Sequence, residues 1–219
     1  MQAEPGLRER KKRQTRQAIE AAAFTLFADR GFDAVTVAEV ARGADVSEAT
    51  VFNYFPTKED LVYGRLEELE AALIQAIRDR GPGQSITAAF GRFLLGRQGA
   101  LGDDDPRSRD RLTAISRIIA GSASLQARER HVYDRYTRGL AALIAEERSA
   151  DPGDVEPWVV ANAVIGVHRG LVEYVRGRVL AGESGPALAQ AVRAQAGRAL
   201  AVLDHGLARY PAAARPPTA

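Results

Sequence analysis

The chain of 219 residues has no cysteine, one tryptophan and one methionine. Without cysteine there is no disulfide, no thiol nucleophile and no thiolate-ligated zinc, which suits a reducing compartment. No apolar run approaches the roughly 20 residues that cross a bilayer, and the charged N-terminus lacks a signal peptide's apolar stretch. We expect a cytoplasmic protein with no membrane contact. The three histidines, His131, His168 and His205, lie far apart in sequence and carry no serine or carboxylate constellation. Phosphate-cradling glycine loops, the nucleophile elbow and the paired-histidine zinc motif are all missing. The expectation is no catalytic residue, no metal and no cofactor. A strong excess of one charge is lacking too. The formal net charge is only +2, so affinity for nucleic acid has to come from local patches.

What is present favours helix: an apolar content of 46%, ample for a core, with abundant alanine and no alternation long enough for a strand. The chain is organised around residues 36–60, TVAEVARGADVSEATVFNYFPTKED. Thr36 with Glu39 forms a capping box, and Val35 with Val40 a hydrophobic staple, so a helix starts there. Gly43 breaks it, free to take the left-handed conformation of a helix end. Ser47 caps a second helix, stapled by Val46 and Val51, which Pro56 stops. Thr57 with Asp60 starts a third. Helix, short turn, helix is the helix-turn-helix unit, whose second helix enters the DNA major groove. On that helix Val51 and Phe55 mark the buried side, leaving Ala49, Thr50 and Asn53 outward, flanked by Phe52 and Tyr54. Asparagine bonds adenine through two contacts, threonine bonds base or phosphate, and alanine or phenylalanine packs on a thymine methyl. An ordinary helical hairpin with a solvated polar face has the same periodicity.

The stretch GFDAVTVAEVARGADVSEATVFNYFPTKEDL resembles the DNA-binding domain of TetR-family transcriptional regulators. The matching positions are Gly31-Phe32, Thr36, Asp45-Val46-Ser47, Thr50-Val51-Phe52-Asn53-Tyr54-Phe55 and Lys58. Asp45 stands where the family has glycine, and Phe52 where it has tyrosine, which removes a hydroxyl able to reach DNA. The resemblance implies DNA contact from Thr36, Ser47, Ala49, Thr50, Phe52, Asn53, Tyr54 and Lys58. It also implies an all-α fold, a homodimer, and a helical C-terminal domain for ligand binding and dimerisation.

Ahead of this unit, Arg8, Arg10, Lys11, Lys12, Arg13 and Arg16 face Glu9 alone. Such a run is either a solvated helix start or an arm touching phosphate, and we assign Arg10, Lys11 and Lys12 to DNA. Ile19, Ala22, Ala23, Leu26 and Phe27 form the apolar stripe of a first helix. The expected organisation is a DNA-binding domain over 1–56, a regulatory domain over 57–210 and a flexible tail over 211–219. Within the second, Leu61, Val62, Leu66, Leu69, Leu73 and Ile77 predict one connector helix over 57–80. Five more helices are expected at 84–98, 106–120, 124–149, 154–181 and 186–209, about nine in all.

The last two helices are rich in alanine and glycine, including Ala161, Ala163, Gly166 and Gly170, which suits close helix–helix contact between two subunits. Dimeric readers of this kind place paired heads about 34 Å apart on the halves of a palindrome. Candidate pocket residues are polar side chains on apolar faces: His168, with Trp158 and Asn162 upstream, Tyr136, and the arginines Arg117 and Arg111. A satisfied core histidine and solvated arginines are the plainer readings. Pocket linings are generally apolar, so a largely hydrophobic small-molecule effector is expected. The functional expectation is a homodimeric repressor released from a palindromic double-stranded DNA operator by that effector. The alternatives are a helical protein-interaction module without sequence-specific DNA binding, and a DNA-binding protein with no effector.

Overall fold

The computed structural model describes residues 6–64, 66–96 and 105–206. Among these there are ten helices and no strand: α1 (Leu7–Arg30), α2 (Val37–Gly43), α3 (Glu48–Tyr54), α4 (Asp60–Tyr63), α5 (Leu66–Arg78), α6 (Ile86–Gly96), α7 (Pro106–Ala120), α8 (Ala123–Arg148), α9 (Glu156–Leu180) and α10 (Gly185–His205). The all-α expectation is met among the described residues, and all five later helices fall within two residues of their predicted edges wherever those edges are described. The fifth, α10, starts one residue before its predicted edge; its predicted end at 209, like the tail 211–219, lies outside the described residues. The chain divides into two compact units. The first takes its described residues from 1–72, 104–136 and 179–182, the second from 73–103, 137–178 and 183–219.

In the first unit the capping chemistry is realised. The Thr36 hydroxyl accepts from the Glu39 N–H (3.2 Å) while the Glu39 carboxylate accepts from the Thr36 N–H (2.8 Å). Those bonds, together with the Arg30 guanidinium, hold the Glu39 carboxyl down to about 2. Ser47 Oγ accepts from the Thr50 N–H, and Thr57 and Asp60 cap each other reciprocally. The core beneath contains Ile19, Ala23, Phe27, Phe32, Val40, Val51 and Phe55, each buried.

Two expectations are corrected here. Gly43 is not the left-handed residue between α2 and α3; Asp45 is, at φ 54°. The Val46 N–H reaches back to the Ala41 carbonyl (3.0 Å), the bond of a Schellman ending, which puts the left-handed position two residues beyond Gly43. Gly43 matters for a different reason. A Cβ there would lie 3.3 Å from Ala22 Cβ, so its bare Cα lets α2 press against α1.

The second correction concerns the connector. The single helix expected over 57–80 is two segments, α4 and α5, with Gly64 a turn residue after the first. A side chain at Gly64 has no room. Its Cβ would meet the Asp60 carbonyl oxygen at 2.6 Å and both Arg16 Nη2 and Phe55 Cε1 at 3.1 Å. The Gly64 carbonyl is also taken by a donor from outside the helix, Arg16 Nη2 at 3.1 Å. This division makes the count ten rather than nine.

In the second unit, Phe90, Leu140, Ile144, Ala161, Ile165, Leu188, Val192 and Ala196 are buried. Gly91 on α6 admits Leu200 of α10 so closely that a Cβ would stand 2.9 Å from Leu200 Cδ1. Arg80 grips Glu147 through two bonds of 2.9 and 2.6 Å, which lowers the Glu147 carboxyl below its ordinary range.

Candidate nucleic-acid interface

α3 is short, and its two sides differ sharply. Val51 and the capping residue Phe55 are 1% exposed, whereas Ala49 and Asn53 are exposed, Phe52 is 47% exposed, and Thr50 and Tyr54 are half-buried. Phe52 is the one large apolar side chain that α3, among the described residues, leaves substantially exposed. Thr50 Oγ1 lies 2.8 Å from Ser47 Oγ, so these two hydroxyls form a pair at the start of the helix. Thr36 and Ser47 are both exposed caps.

The basic run is helical rather than an extended arm. Arg8, Arg10, Lys11, Lys12 and Arg13 lie in the first two turns of α1 and are all exposed. Arg16, the last of the run, has turned inward. Its guanidinium bonds Glu20 (3.1 Å) and the Gly64 carbonyl, and lies 4.8 Å from the centre of the Phe55 ring. It thus joins α1, the end of α3 and the end of α4. Lys58 is likewise engaged: its Nζ donates to the Phe32 carbonyl at 2.6 Å and sits 4.1 Å above the Phe32 ring. Burial lowers the ammonium below its ordinary value.

A second set of polar contacts ties α8 to the segment after the recognition helix. Arg128 Nη2 donates to Asp60 Oδ1 at 2.7 Å, while Asp60 Oδ2 accepts from the Thr57 N–H. Arg135 Nε donates to Glu70 on α5 at 2.7 Å, and the Ser122 hydroxyl donates to Asp33 in the loop before α2 at 2.9 Å. Sequence reasoning missed Arg16, Gly64 and Arg128 because their partners stand 48 to 68 positions away, beyond any capping or helical-spacing signal.

Two family models match the chain: bacterial regulatory proteins of the tetR family over residues 19–63, and the MftR C-terminal domain over residues 82–194. The chain belongs to the TetR family. This TetR-family protein is a DNA-binding transcriptional regulator, as the family's members are, and not an enzyme. It is 30% identical over 156 residues to the HTH-type transcriptional regulator TcmR of Streptomyces glaucescens, covering 68% of this chain and 67% of that one. It is 28% identical over 174 residues to the nucleoid occlusion factor SlmA of Pasteurella multocida, covering 75% and 84%. Its fold resembles that of NalD, the secondary repressor of the MexAB-OprM multidrug efflux pump in Pseudomonas aeruginosa. That likeness has a TM-score of 0.55 at 20% identity and covers 91% of this chain and all of that one.

The candidate pocket residues fall in both units, Arg117 and Tyr136 in the first and Trp158, Asn162 and His168 in the second. Trp158 is 46% exposed, and Asn162 is exposed with its side-chain amide spent on the Trp158 carbonyl (2.8 Å). Arg117 is exposed, and Tyr136 is fully buried in the first unit, while His168 belongs to the second. The periodicity of α9 placed Trp158, Asn162 and His168 on related faces, but helical spacing alone does not say which face turns inward.

His168 is half-buried, and desolvation pushes its imidazole down to about 4. The unfolded chain takes up this proton near pH 6.5 and the folded chain only near pH 4. Stability is therefore lost as pH falls through that window. The loss is bounded at about 3 kcal/mol for the full shift, and less because the ring keeps some exposed surface. Urea unfolding at several pH values between 4.5 and 7 checks this: His168→Gln is expected to flatten the acid limb relative to the parent. Equal slopes in the two proteins would deny His168 that role.

Proposed function

We propose that the protein is a homodimeric repressor that leaves a palindromic operator when a small molecule binds. The single observation that carries this reading is the two-sided recognition helix, with Val51 and Phe55 buried and Ala49, Thr50, Phe52 and Asn53 offered outward. Asn53 and Thr50 are assigned to base edges, Phe52, Tyr54 and Ala49 to sugar and methyl packing, and Thr36 and Ser47 to phosphate. Arg10, Lys11 and Lys12 supply sequence-independent attraction to the backbone. Lys58 braces the loop at Phe32 with one of its three N–H groups and has the others to offer a phosphate. In this reading residues 1–56 are the reading head and 57–210 the regulatory part, in a cytoplasmic protein with free access to DNA.

Pairing of two copies is supported by α9 and α10. Along α9 the exposed positions Val159, Ala163, Gly166, Gly170 and Gly177 follow alternating steps of four and three, apart from one full heptad. Ala187, Gln190, Ala194, Gly197 and Ala201 do so on α10. A Cβ at Gly166, Gly170, Gly177 or Gly197 would meet nothing within 4 Å, so both faces are open to a second copy. The effector, with a mostly apolar body, acts by preferring the state that does not bind DNA. Operator and effector then weaken each other's binding by the same factor.

Selection of bound sequences from a random duplex library tests the proposal. The expected product is a palindrome with half-sites about one helical turn apart. On that operator Asn53→Ala is expected to lower affinity by about 1–3 kcal/mol and to relax preference at one position of each half-site. Joint replacement of Arg10, Lys11 and Lys12 flattens the salt dependence and leaves the preference intact. A folded protein that enriches no motif is an interaction module instead.

A further inference from the structure

Within the first unit, a cavity of about 100 Å³ opens between α1, α4 and α7. Phe24, Leu61, Val62, Ile115 and Ile118 give it an apolar wall, with Arg111 and Glu20 as its charged members. We propose that this cavity is an effector site for a small carboxylate with an aromatic or branched body, seated directly beneath the DNA-reading head.

Charge selects the ligand. Glu20 is answered by Arg16 at 3.1 Å. The Arg111 guanidinium lies 4.7 Å from the centre of the Phe24 ring and, among the described residues, has no carboxylate partner. One positive charge is thus left over beside an apolar hollow. A guanidinium carbon over a ring face leaves N–H groups able to make two parallel bonds to a carboxylate. Size bounds the ligand. At about 10–15 Å³ for each water-sized sphere, the hollow takes about seven to ten non-hydrogen atoms, a single ring with its acid group rather than a long chain.

Position supplies the consequence. Gly64 is part of the same wall, and its carbonyl holds the Arg16 that lies on Phe55 at the end of the recognition helix. A molecule wedged between α1, α4 and α7 therefore bears on a contact set at the exit of α3. This second part rests on the repressor reading above; the binding itself does not.

Benzoate, its neutral isostere benzamide and the cation benzylamine are the probes, read by calorimetry on the full chain. Benzoate is expected to bind, benzamide about tenfold more weakly, and benzylamine not at all. Arg111→Gln is a rim substitution that leaves the fold intact, and it brings benzoate down to the benzamide level without moving benzamide. Ile115→Trp fills the hollow and removes both. Saturating benzoate also lowers operator affinity in the parent and not in Ile115→Trp. Absence of benzoate binding, or binding indifferent to both substitutions, overturns the site. Binding that leaves operator affinity unchanged overturns its regulatory role. Failure of the repressor reading shows separately, as a lack of any enriched operator in unliganded protein.

Discussion

Phe55→Ala is expected to destabilise the protein by about 3–5 kcal/mol. The ring is 1% exposed and belongs to the cluster that includes Ile19, Phe27, Val51 and Leu61, so its removal leaves a hollow at the end of the recognition helix. A further part of the loss comes from Arg16, which would keep its charge and lose the ring it covers. Against a typical total stability of about 5–15 kcal/mol this is a large share. Phe55→Leu separates the two contributions, because it retains most of the volume and none of the ring face. We expect it to cost about 1–2 kcal/mol, in the range of volume-conserving core changes plus a part-buried cation–ring contact. Urea unfolding followed by circular dichroism measures both. A loss under 1 kcal/mol for the alanine variant would mean that the end of α3 is not packed as described.

Gly64→Ala carries a prediction with an unusual sign. At φ −60° and ψ −14° the backbone is ordinary right-handed helix, where alanine in place of glycine stabilises by about 0.4–1 kcal/mol. Here the added methyl would sit 2.6 Å from the Asp60 carbonyl oxygen, a backbone atom that cannot rotate aside, as well as against Arg16 and Phe55. Relief requires α4 to shift or Arg16 to leave, and the substitution is expected to cost about 2–4 kcal/mol. It should also lower operator affinity by more than the lost stability accounts for, since the displaced groups border α3. Melting and operator titration on one preparation check both halves. A stabilised variant would show that the two segments join as one plain helix.

The local chemistry of the head was readable from residues three or four positions apart. Thr36 and Glu39, Ser47 and Thr50, and Thr57 and Asp60 are pairs whose bonds close within one turn, so their spacing contains the geometry. The outward set Ala49, Thr50 and Asn53, flanked by Phe52 and Tyr54, follows from Val51 and Phe55 in the same way. What resisted were contacts set by folding. A lysine two residues after a proline gives no sign that it will turn onto the Phe32 carbonyl. Nor does the last arginine of a basic run announce that it will stack on Phe55 while its neighbours stay in water. Gly64 reads like any residue of an amphipathic helix because periodicity shows neither the turn that brings it onto the Asp60 carbonyl nor the approach of Arg16 and Phe55. Trp158 and Asn162 illustrate the converse: a polar or aromatic residue among apolar neighbours marks a helix face, but solvent and partner leave the same mark.

The one tryptophan has a practical use. Trp158 is half exposed at the start of α9, next to the open face led by Val159, and the head contains no other indole. Emission excited at the red edge of the absorption band, where the six tyrosines do not absorb, is therefore a signal from this one indole. Its wavelength, followed across a dilution series, reports whether the neighbourhood of that face is wet or covered, with no label attached.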